Sequence, residues 1–199
     1  MEKLITLILS FISGSIPFGF LIAYAVKKID IRKLGSGNIG ATNVYRVVGK
    51  GWGIVVFILD FLKGFLPVLI AKNFISPCDN FLILVAILAV CGHNWTPFLR
   101  FKGGKGVTTS LGALSGLGLA FPGLGWALIA AIGIWLIVFL IFRFVSLASI
   151  TASLSFLVLV LIAVDSVSIR VASLLLCVFI VFQHRKNIER LLNKTENKV

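Results

Sequence analysis

The residues with the clearest chemistry lie in one short stretch, Gly35 to Asn43, which reads GSGNIGATN. Its three glycines let the backbone turn tightly and bring its N–H groups close to a ligand, and its Ser, Asn and Thr side chains add neutral hydrogen-bonding groups. Six Lys and Arg residues surround it between positions 27 and 50, and Arg46 among them can bind a phosphate bidentately. The pattern predicts an anion site, although a glycine-rich connector beside ordinary membrane-flanking charge would leave the same composition.

A second polar stretch, FKGGKG at Phe101 to Gly106, repeats the combination of glycine and lysine. A helix that starts near Gly106 would direct its first N–H groups and its positive dipole end toward this loop. A third polar segment, residues 184–199, opens with His184 and carries five further Lys and Arg residues. Together the three segments predict an electropositive, glycine-lined pocket for a small or amphiphilic anion.

Long apolar runs separate the polar stretches. The chain is 59% hydrophobic and 13% charged with a mean hydropathy of +1.08, which excludes an ordinary soluble domain. Runs of about 20 residues suffice for a helix to cross a hydrocarbon core of roughly 30 Å, and they lack the alternation of outer-membrane strands. The sequence therefore predicts an all-α, polytopic membrane protein, with residues 1–199 forming a single domain.

Seven transmembrane helices are expected, near residues 4–26, 52–71, 81–95, 107–119, 124–142, 144–164 and 167–183. The first run is longer than the apolar region of a signal peptide, and Pro17 with its nearby glycines predicts a bend where another helix packs. The fourth is short and glycine-rich, so it could tilt, stop partway or pack deep within the protein. Arg143 predicts a tight reversal, and Asp165 with Ser166 marks the last turn.

Charge orients this arrangement. With the N-terminus outside, 15 of the 19 Lys and Arg residues fall on one side, which the positive-inside rule makes cytoplasmic. The C-terminus is then cytoplasmic, and a five-span version with re-entrant segments keeps the same orientation. The formal net charge of +12 is explained by the membrane, so nucleic acid is not expected as a partner.

Several familiar motifs do not apply. Gly35, Gly37 and Gly40 match G-x-G-x-x-G, but no strand precedes them, so no dinucleotide fold follows. Lys105 is followed by Gly106 instead of Ser or Thr, which argues against an ATP loop. Two histidines and seven carboxylates are scattered without ligand spacing, so no metal is predicted.

Asp60 and Lys63 lie inside a predicted span at i and i+3, and so must face protein. They form either an internal ion pair or an accessory part of the anion site. His93 and His184 are candidates for proton transfer, although a lone histidine is commonly a hydrogen-bonded structural group.

Three motifs together resemble the bacterial membrane acyltransferases that transfer an acyl chain from acyl-phosphate to glycerol 3-phosphate. They are GSGNIGATN with Arg46, FKGGKGVTTSLG at 101–112, and His184-x-x-Asn187-Ile188. Size, span pattern and polarity agree along the whole chain, and Thr108 departs mildly from the small residue common there. The resemblance implies a cofactor-free reaction giving lysophosphatidic acid and phosphate, the first acylation of bacterial phospholipid synthesis. It places a multi-pass enzyme in the cytoplasmic (inner) membrane with its active site at the cytoplasmic face; a monomer is compatible with it.

The resemblance also implies site residues. The predicted catalytic residues are Ser36, Arg46, Lys105 and His184. The predicted substrate-binding residues are Gly37, Asn38, Gly40, Ala41, Thr42, Asn43, Lys102, Gly103, Gly104 and Asn187, with Asp60, Lys63 and His93 as accessory residues. Residues 36–43 would bind the acyl-phosphate head, and Arg46, Lys105, His184 and Asn187 would bind glycerol 3-phosphate.

The general base stays open among His184, His93, Asp60 and the phosphate of the donor. We favour the phosphate, because an acyl-phosphate is already activated and needs positioning more than a strong base. Two other classes are compatible with the polar segments. A transporter for a phosphorylated metabolite would be expected to show paired inverted repeats, which the sequence lacks, and a scaffold held by anionic lipid would leave the clustered Ser, Thr and Asn unexplained.

Overall fold

The computed structural model describes residues 1–75 and 78–198, and over those residues the regular structure is helical. This confirms the predicted all-α class. The α-helices are α1 (Glu2–Ser15), α2 (Phe18–Lys27), α3 (Ala41–Val47), α4 (Lys50–Ile70), α5 (Asp79–Asn94), α6 (Val107–Gly118), α7 (Pro122–Phe142), α8 (Val145–Ala163), α9 (Val167–Gln183) and α10 (Arg185–Leu192). Short 3₁₀ turns lie at Ile31–Lys33 and Pro97–Leu99, and a π-helical turn at Ala71–Ile75 extends α4.

Within the described residues, five helical segments are long and apolar enough to cross a bilayer: Glu2–Lys27, Lys50–Ile75, Asp79–Leu99, Pro122–Phe142 and Val145–Ala163. The pair α9 and α10, bent by 55° at His184, qualifies as a sixth when taken together. The expected count of seven is not confirmed by these lengths. The difference lies in α6, whose 12 residues rise about 18 Å, well short of a hydrocarbon core of about 30 Å.

The chain divides into two compact units, unit 1 (Met1–Gly116) and unit 2 (Leu117–Val199). In unit 1 the first span is broken, since α1 ends at Ser15 and α2 begins at Phe18. The helix is therefore interrupted at Pro17, where a bend was predicted. A β-carbon added to Gly14 would overlap the Ala89 carbonyl of α5, so this glycine lets the two helices approach to backbone contact.

Glycines also bring α6 against α4. A β-carbon on Gly64 of α4 would overlap the Thr109 carbonyl, and one on Gly112 of α6 would overlap the Phe61 carbonyl.

An apolar cluster packs the polar segment after α2 onto the neighbouring helices. Its buried members are Ala23, Ile31, Ile39, Val44, Val48, Val56 and Leu99. Apolar packing therefore holds a polar, glycine-rich loop in a defined position.

Unit 2 is built on α7, α8 and α9. The tight reversal predicted at Arg143 is confirmed, because this residue ends α7 with a left-handed φ of 62°. The turn predicted at Asp165 and Ser166 is also confirmed, and the Ser166 side chain caps α9 by accepting from the Ile169 N–H at 3.5 Å. The tail continues as a separate short helix, α10.

Candidate functional site

Asn43 organises the loop of residues 35–43. Its side chain, in a residue only 1% exposed, accepts a hydrogen bond from the Ser36 N–H at 2.9 Å. Its amide nitrogen lies 2.8 Å from the carbonyl of Asn38, 3.0 Å from that of Leu34 and 3.2 Å from that of Ile31. The buried amide thus joins both ends of the loop, whereas its predicted contact with substrate stays a prediction.

The loop geometry explains why residue 35 is a glycine. Its φ of +58° is left-handed, and an added β-carbon would overlap the Asn43 Oδ1 atom. Further along, the Asn38 side chain accepts from the Gly40 N–H at 2.8 Å, a turn that leads directly into α3. Ser36, Asn38 and Gly40 are half-buried, so the loop presents polar groups at a partly accessible surface.

Part of the surrounding positive charge has structural partners. The Arg32 guanidinium lies 2.8 Å from the Asp30 carboxylate, and this hydrogen-bonded pair lowers the pKa of Asp30 to about 2. Lys27 donates to the Val47 carbonyl at 2.9 Å at the end of α3. Arg46, the cation predicted to bind phosphate, is half-buried on α3 itself, just beyond the polar loop.

The second loop, residues 101–106, is bound to the end of α5. The Gly103 N–H donates to the Asn94 carbonyl at 3.2 Å, and the Gly104 N–H donates to the His93 carbonyl at 3.0 Å. Gly106 has a left-handed φ of +77°, and a β-carbon there would overlap the Asn94 side chain. Lys105, between these glycines, is half-buried, and Lys102 is exposed.

Helix α6 begins at Val107, directly after this loop, as predicted. The first N–H groups of a helix have no partner within it, and they carry the positive end of its dipole. The Ser110 N–H already bonds the Gly106 carbonyl at 2.7 Å. Because the Gly103 and Gly104 N–H groups already donate to α5, the groups suited to an anion here are the first N–H groups of α6 and the Lys105 side chain.

A buried charged cluster lies behind the second loop. The Lys63 Nζ is 2.7 Å from Asp60 Oδ1, so the internal ion pair, one of the two predicted alternatives, is present, and Lys63 also donates to the Ile16 carbonyl at 2.8 Å. The His93 Nδ1 faces the same carboxylate oxygen at 3.8 Å. All three residues are at most 4% exposed.

His184 and Asn187 belong to unit 2. His184 is 2% exposed, and its Nδ1 lies 2.8 Å from the Ile180 carbonyl. Because a carbonyl oxygen only accepts, Nδ1 carries the hydrogen, and in the neutral ring Nε2 is then the acceptor.

Asn187 leads to a residue that sequence reasoning missed. Its amide donates to Glu196 Oε1 at 2.6 Å, which also accepts from the Ser146 hydroxyl at 2.8 Å, while the Arg190 Nε donates to Glu196 Oε2 at 2.6 Å. Burial raises the pKa of Glu196, but the hydrogen bonds from Arg190, Ser146 and Asn187 outweigh it and lower the pKa overall. A carboxylate in a basic tail was the available signal, yet its partner Ser146 lies 50 residues away.

The three predicted motifs thus fall into two groups. Unit 1 holds both glycine loops with Ser36, Arg46, Lys102, Lys105 and the accessory residues, and unit 2 holds His184 and Asn187. Among the described residues, no group of three or more His, Cys, Asp or Glu side chains could hold a metal ion.

The fold defines a multi-pass, all-helical integral membrane protein whose two glycine-rich loops carry basic side chains. A family model described as glycerol-3-phosphate acyltransferase matches residues 4–194. The relative named glycerol-3-phosphate acyltransferase from Aquifex aeolicus is 41% identical over 198 residues, covering 100% of both chains. One from Geotalea daltonii is 43% identical over 196 residues, covering 98% of this chain and 97% of the relative.

Solved structures agree. The crystal structure of PlsY (YgiH), an integral membrane glycerol 3-phosphate acyltransferase, in its glycerol 3-phosphate form, matches with a TM-score of 0.90 at 40% identity. The match covers 100% of this chain and 96% of that one. The lysophosphatidic acid form of the same protein matches with a TM-score of 0.87. The chain belongs to the glycerol-3-phosphate acyltransferase family, which confirms the resemblance drawn from its motifs.

Proposed function

We propose that this protein transfers an acyl chain from acyl-phosphate to the 1-hydroxyl of glycerol 3-phosphate. The hydroxyl oxygen attacks the acyl carbonyl, the bond between that carbonyl and the phosphate oxygen breaks, and the products are lysophosphatidic acid and phosphate. The observation that carries the proposal is the loop at 101–106, where glycine backbone anchored on α5, Lys105 and the start of α6 converge. Acyl-phosphate as the donor rests on the resemblance of the motifs.

The two substrates are assigned to different sets of residues. The acyl-phosphate head is bound by the half-buried part of the first loop, through Ser36, Asn38 and the backbone up to Thr42. Glycerol 3-phosphate is bound by Lys105 and Arg46, with Lys102 at the exposed edge of the second loop. A cationic side chain beside oriented N–H groups favours a phosphate through charge-assisted hydrogen bonds. In unit 2, His184 and Asn187 keep the role in binding glycerol 3-phosphate that the resemblance gives them.

The phosphate of the donor accepts the proton of the attacking hydroxyl in our proposal. The surroundings of two competing bases support this choice. Asp60 is only 2% exposed and is ion-paired with Lys63, and His93 is buried behind the second loop. An acyl-phosphate brings its own good leaving group, so orientation and charge neutralisation supply most of the catalysis.

We also propose that the loops face the cytoplasm and that α6 completes a seventh crossing. Helix α6 packs on α4 through Gly64 and Gly112, so its short length is enclosed by protein rather than lipid. If α6 did not cross, the basic tail would lie on the face opposite Lys27–Lys50, against the positive-inside rule.

The deciding experiment uses purified protein in lipid, without metal or nucleotide, given glycerol 3-phosphate and either acyl-phosphate or acyl-CoA. Lysophosphatidic acid is expected from acyl-phosphate alone, and Lys105→Ala should abolish it. Lys50→Ala, which removes an exposed charge at the start of α4, is the matched control and should retain activity. Product from acyl-CoA alone would refute the proposed donor. No product from either donor would refute the enzyme and make anion flux the next assay.

A further inference from the structure

The end of α5 supports the second loop in two ways. The main-chain carbonyls of His93 and Asn94 accept the N–H groups of Gly104 and Gly103. The imidazole of His93 then fills the space directly behind Gly104, because a β-carbon added to that glycine would overlap the ring at Nε2. The loop backbone is thus held by hydrogen bonds and by direct contact with the ring.

On its other side the ring faces the buried ion pair. Its Nδ1 lies 3.8 Å from Asp60 Oδ1, beyond hydrogen-bond distance, and the same carboxylate oxygen lies 2.7 Å from the Lys63 Nζ. Lys63 is anchored on the Ile16 carbonyl at 2.8 Å, at the break between α1 and α2, with its Nζ 5.5 Å from the centre of the Phe18 ring. A buried ion pair with these additional contacts has little freedom to move.

The same break contacts the first loop. Gly19, near the start of α2, lies so close to the Ile39 carbonyl that a β-carbon there would overlap it. Ile39 itself is 3% exposed and belongs to the apolar cluster under that loop. A continuous series of contacts therefore runs from the first loop through the helix break, the ion pair and His93 to the second loop.

We propose that His93, backed by the Asp60–Lys63 ion pair, is a positioning residue that fixes the Gly103–Lys105 backbone relative to the first loop, and does not transfer a proton. The inference rests on the proposed function, in which these loops bind the two substrates. Its physical content is pre-organisation: a loop that is already fixed does not have to be ordered when glycerol 3-phosphate binds, so loosening it weakens the binding of that substrate.

The contact between His93 and Gly104 allows a test by rescue. Gly104→Ala alone should raise the KM for glycerol 3-phosphate strongly, because its methyl group displaces the loop from the ring. His93→Ala alone should raise that KM about tenfold by loosening the loop, with kcat changed less than about threefold. In the double variant the methyl group occupies the vacated space, so the KM should fall below that of Gly104→Ala. Defects that simply multiply would overturn the proposal.

A second readout needs no activity. Hydrogen exchange of the peptide spanning residues 101–106 should accelerate in His93→Ala. Without the imidazole ring packed behind Gly104, the loop opens more often and exposes the Gly103 and Gly104 amides. Ser10→Ala is the matched control, because it removes a buried hydrogen bond of 2.7 Å to the Val85 carbonyl between the same α1 and α5 helices. Exchange in the loop should be unchanged in this control.

The ion pair is tested by neutralising both members in Asp60→Asn/Lys63→Met, which leaves no lone buried charge. This variant should accelerate exchange at 101–106, and His93→Ala should add little to it. If the effects of the double neutralisation and of His93→Ala on loop exchange were fully additive, the ion pair would not act through His93, and that part of the proposal would be wrong.

His93→Gln separates positioning from proton transfer while keeping a side chain of similar bulk. Retained kcat at saturating substrates fits positioning, whereas a hundredfold loss of kcat with unchanged loop exchange would overturn it. If the unmodified protein makes no lysophosphatidic acid, the proposed function fails, and the exchange data still decide whether His93 holds the loop.

Discussion

Asn43 offers the sharpest test of how the first loop is built. Its side chain makes one accepted hydrogen bond, from the Ser36 N–H, and its two amide hydrogens are shared among three carbonyls. Counting three satisfied interactions at about 1 kcal/mol each, Asn43→Ala should cost about 3 kcal/mol. That corresponds to about a hundredfold increase in the population of the opened loop.

The assay is hydrogen exchange of the Ser36 amide in lipid, because this N–H reports opening of the loop directly. Exchange in Asn43→Ala should accelerate about hundredfold. Asn43→Asp keeps the acceptor but places a carboxylate against three carbonyls, and should accelerate exchange at least as much. Asn80→Ala, at an exposed position in the same unit, is the control. Unchanged Ser36 exchange with lost turnover would refute the reasoning and make Asn43 a substrate ligand instead.

Four further predictions concern the tail, His184 and the orientation in the membrane. Glu196→Gln should loosen the tail by about 1.5 kcal/mol, since Arg190 loses a charge-assisted bond, and exchange of residues 185–198 measures this. Because the pKa of Glu196 is lowered in the folded state, its contribution to stability is complete above the ordinary pKa of glutamate and is lost as the pH falls through the lowered value. Hydrogen exchange of the tail should therefore accelerate on acidification, and an exchange rate without this added pH dependence would contradict the prediction. His184→Gln should retain turnover at saturating substrates with a higher KM for glycerol 3-phosphate, whereas lost turnover would make His184 the base. With the native cysteines replaced by alanine, Lys50→Cys should resist an impermeant thiol reagent from outside and Asp165→Cys should react; the reverse pattern would invert the proposed orientation.

Composition and the lengths of the apolar runs determined the class and most of the boundaries of the long helices. Apolar runs long enough to span a bilayer have few alternatives to helix, because every backbone polar group in lipid must be satisfied within the segment. The breaks at Pro17 and Arg143 were also predictable. Proline lacks an N–H for the helix, and a charged residue is costly within an apolar span. Whether α6 crosses the membrane was less predictable, because its glycines are compatible both with lipid and with close packing on another helix.

The motifs likewise identified the two glycine loops and the family. The i, i+3 spacing of Asp60 and Lys63 made an ion pair one of two alternatives, because that spacing places them on one helix face, and the structure shows the pair.

Only the tertiary structure shows which polar residues bond to other parts of the protein. Asn43 stands among predicted ligands in the sequence, yet its amide is used to bridge carbonyls up to 12 residues away. Glu196 meets Ser146 across 50 residues, and Lys63 meets Ile16 across 47. Local sequence specifies a helix or a turn through the backbone of a few neighbouring residues. Which buried polar group satisfies which distant partner is decided only when the helices pack, because each such group must find a partner within the space that packing leaves.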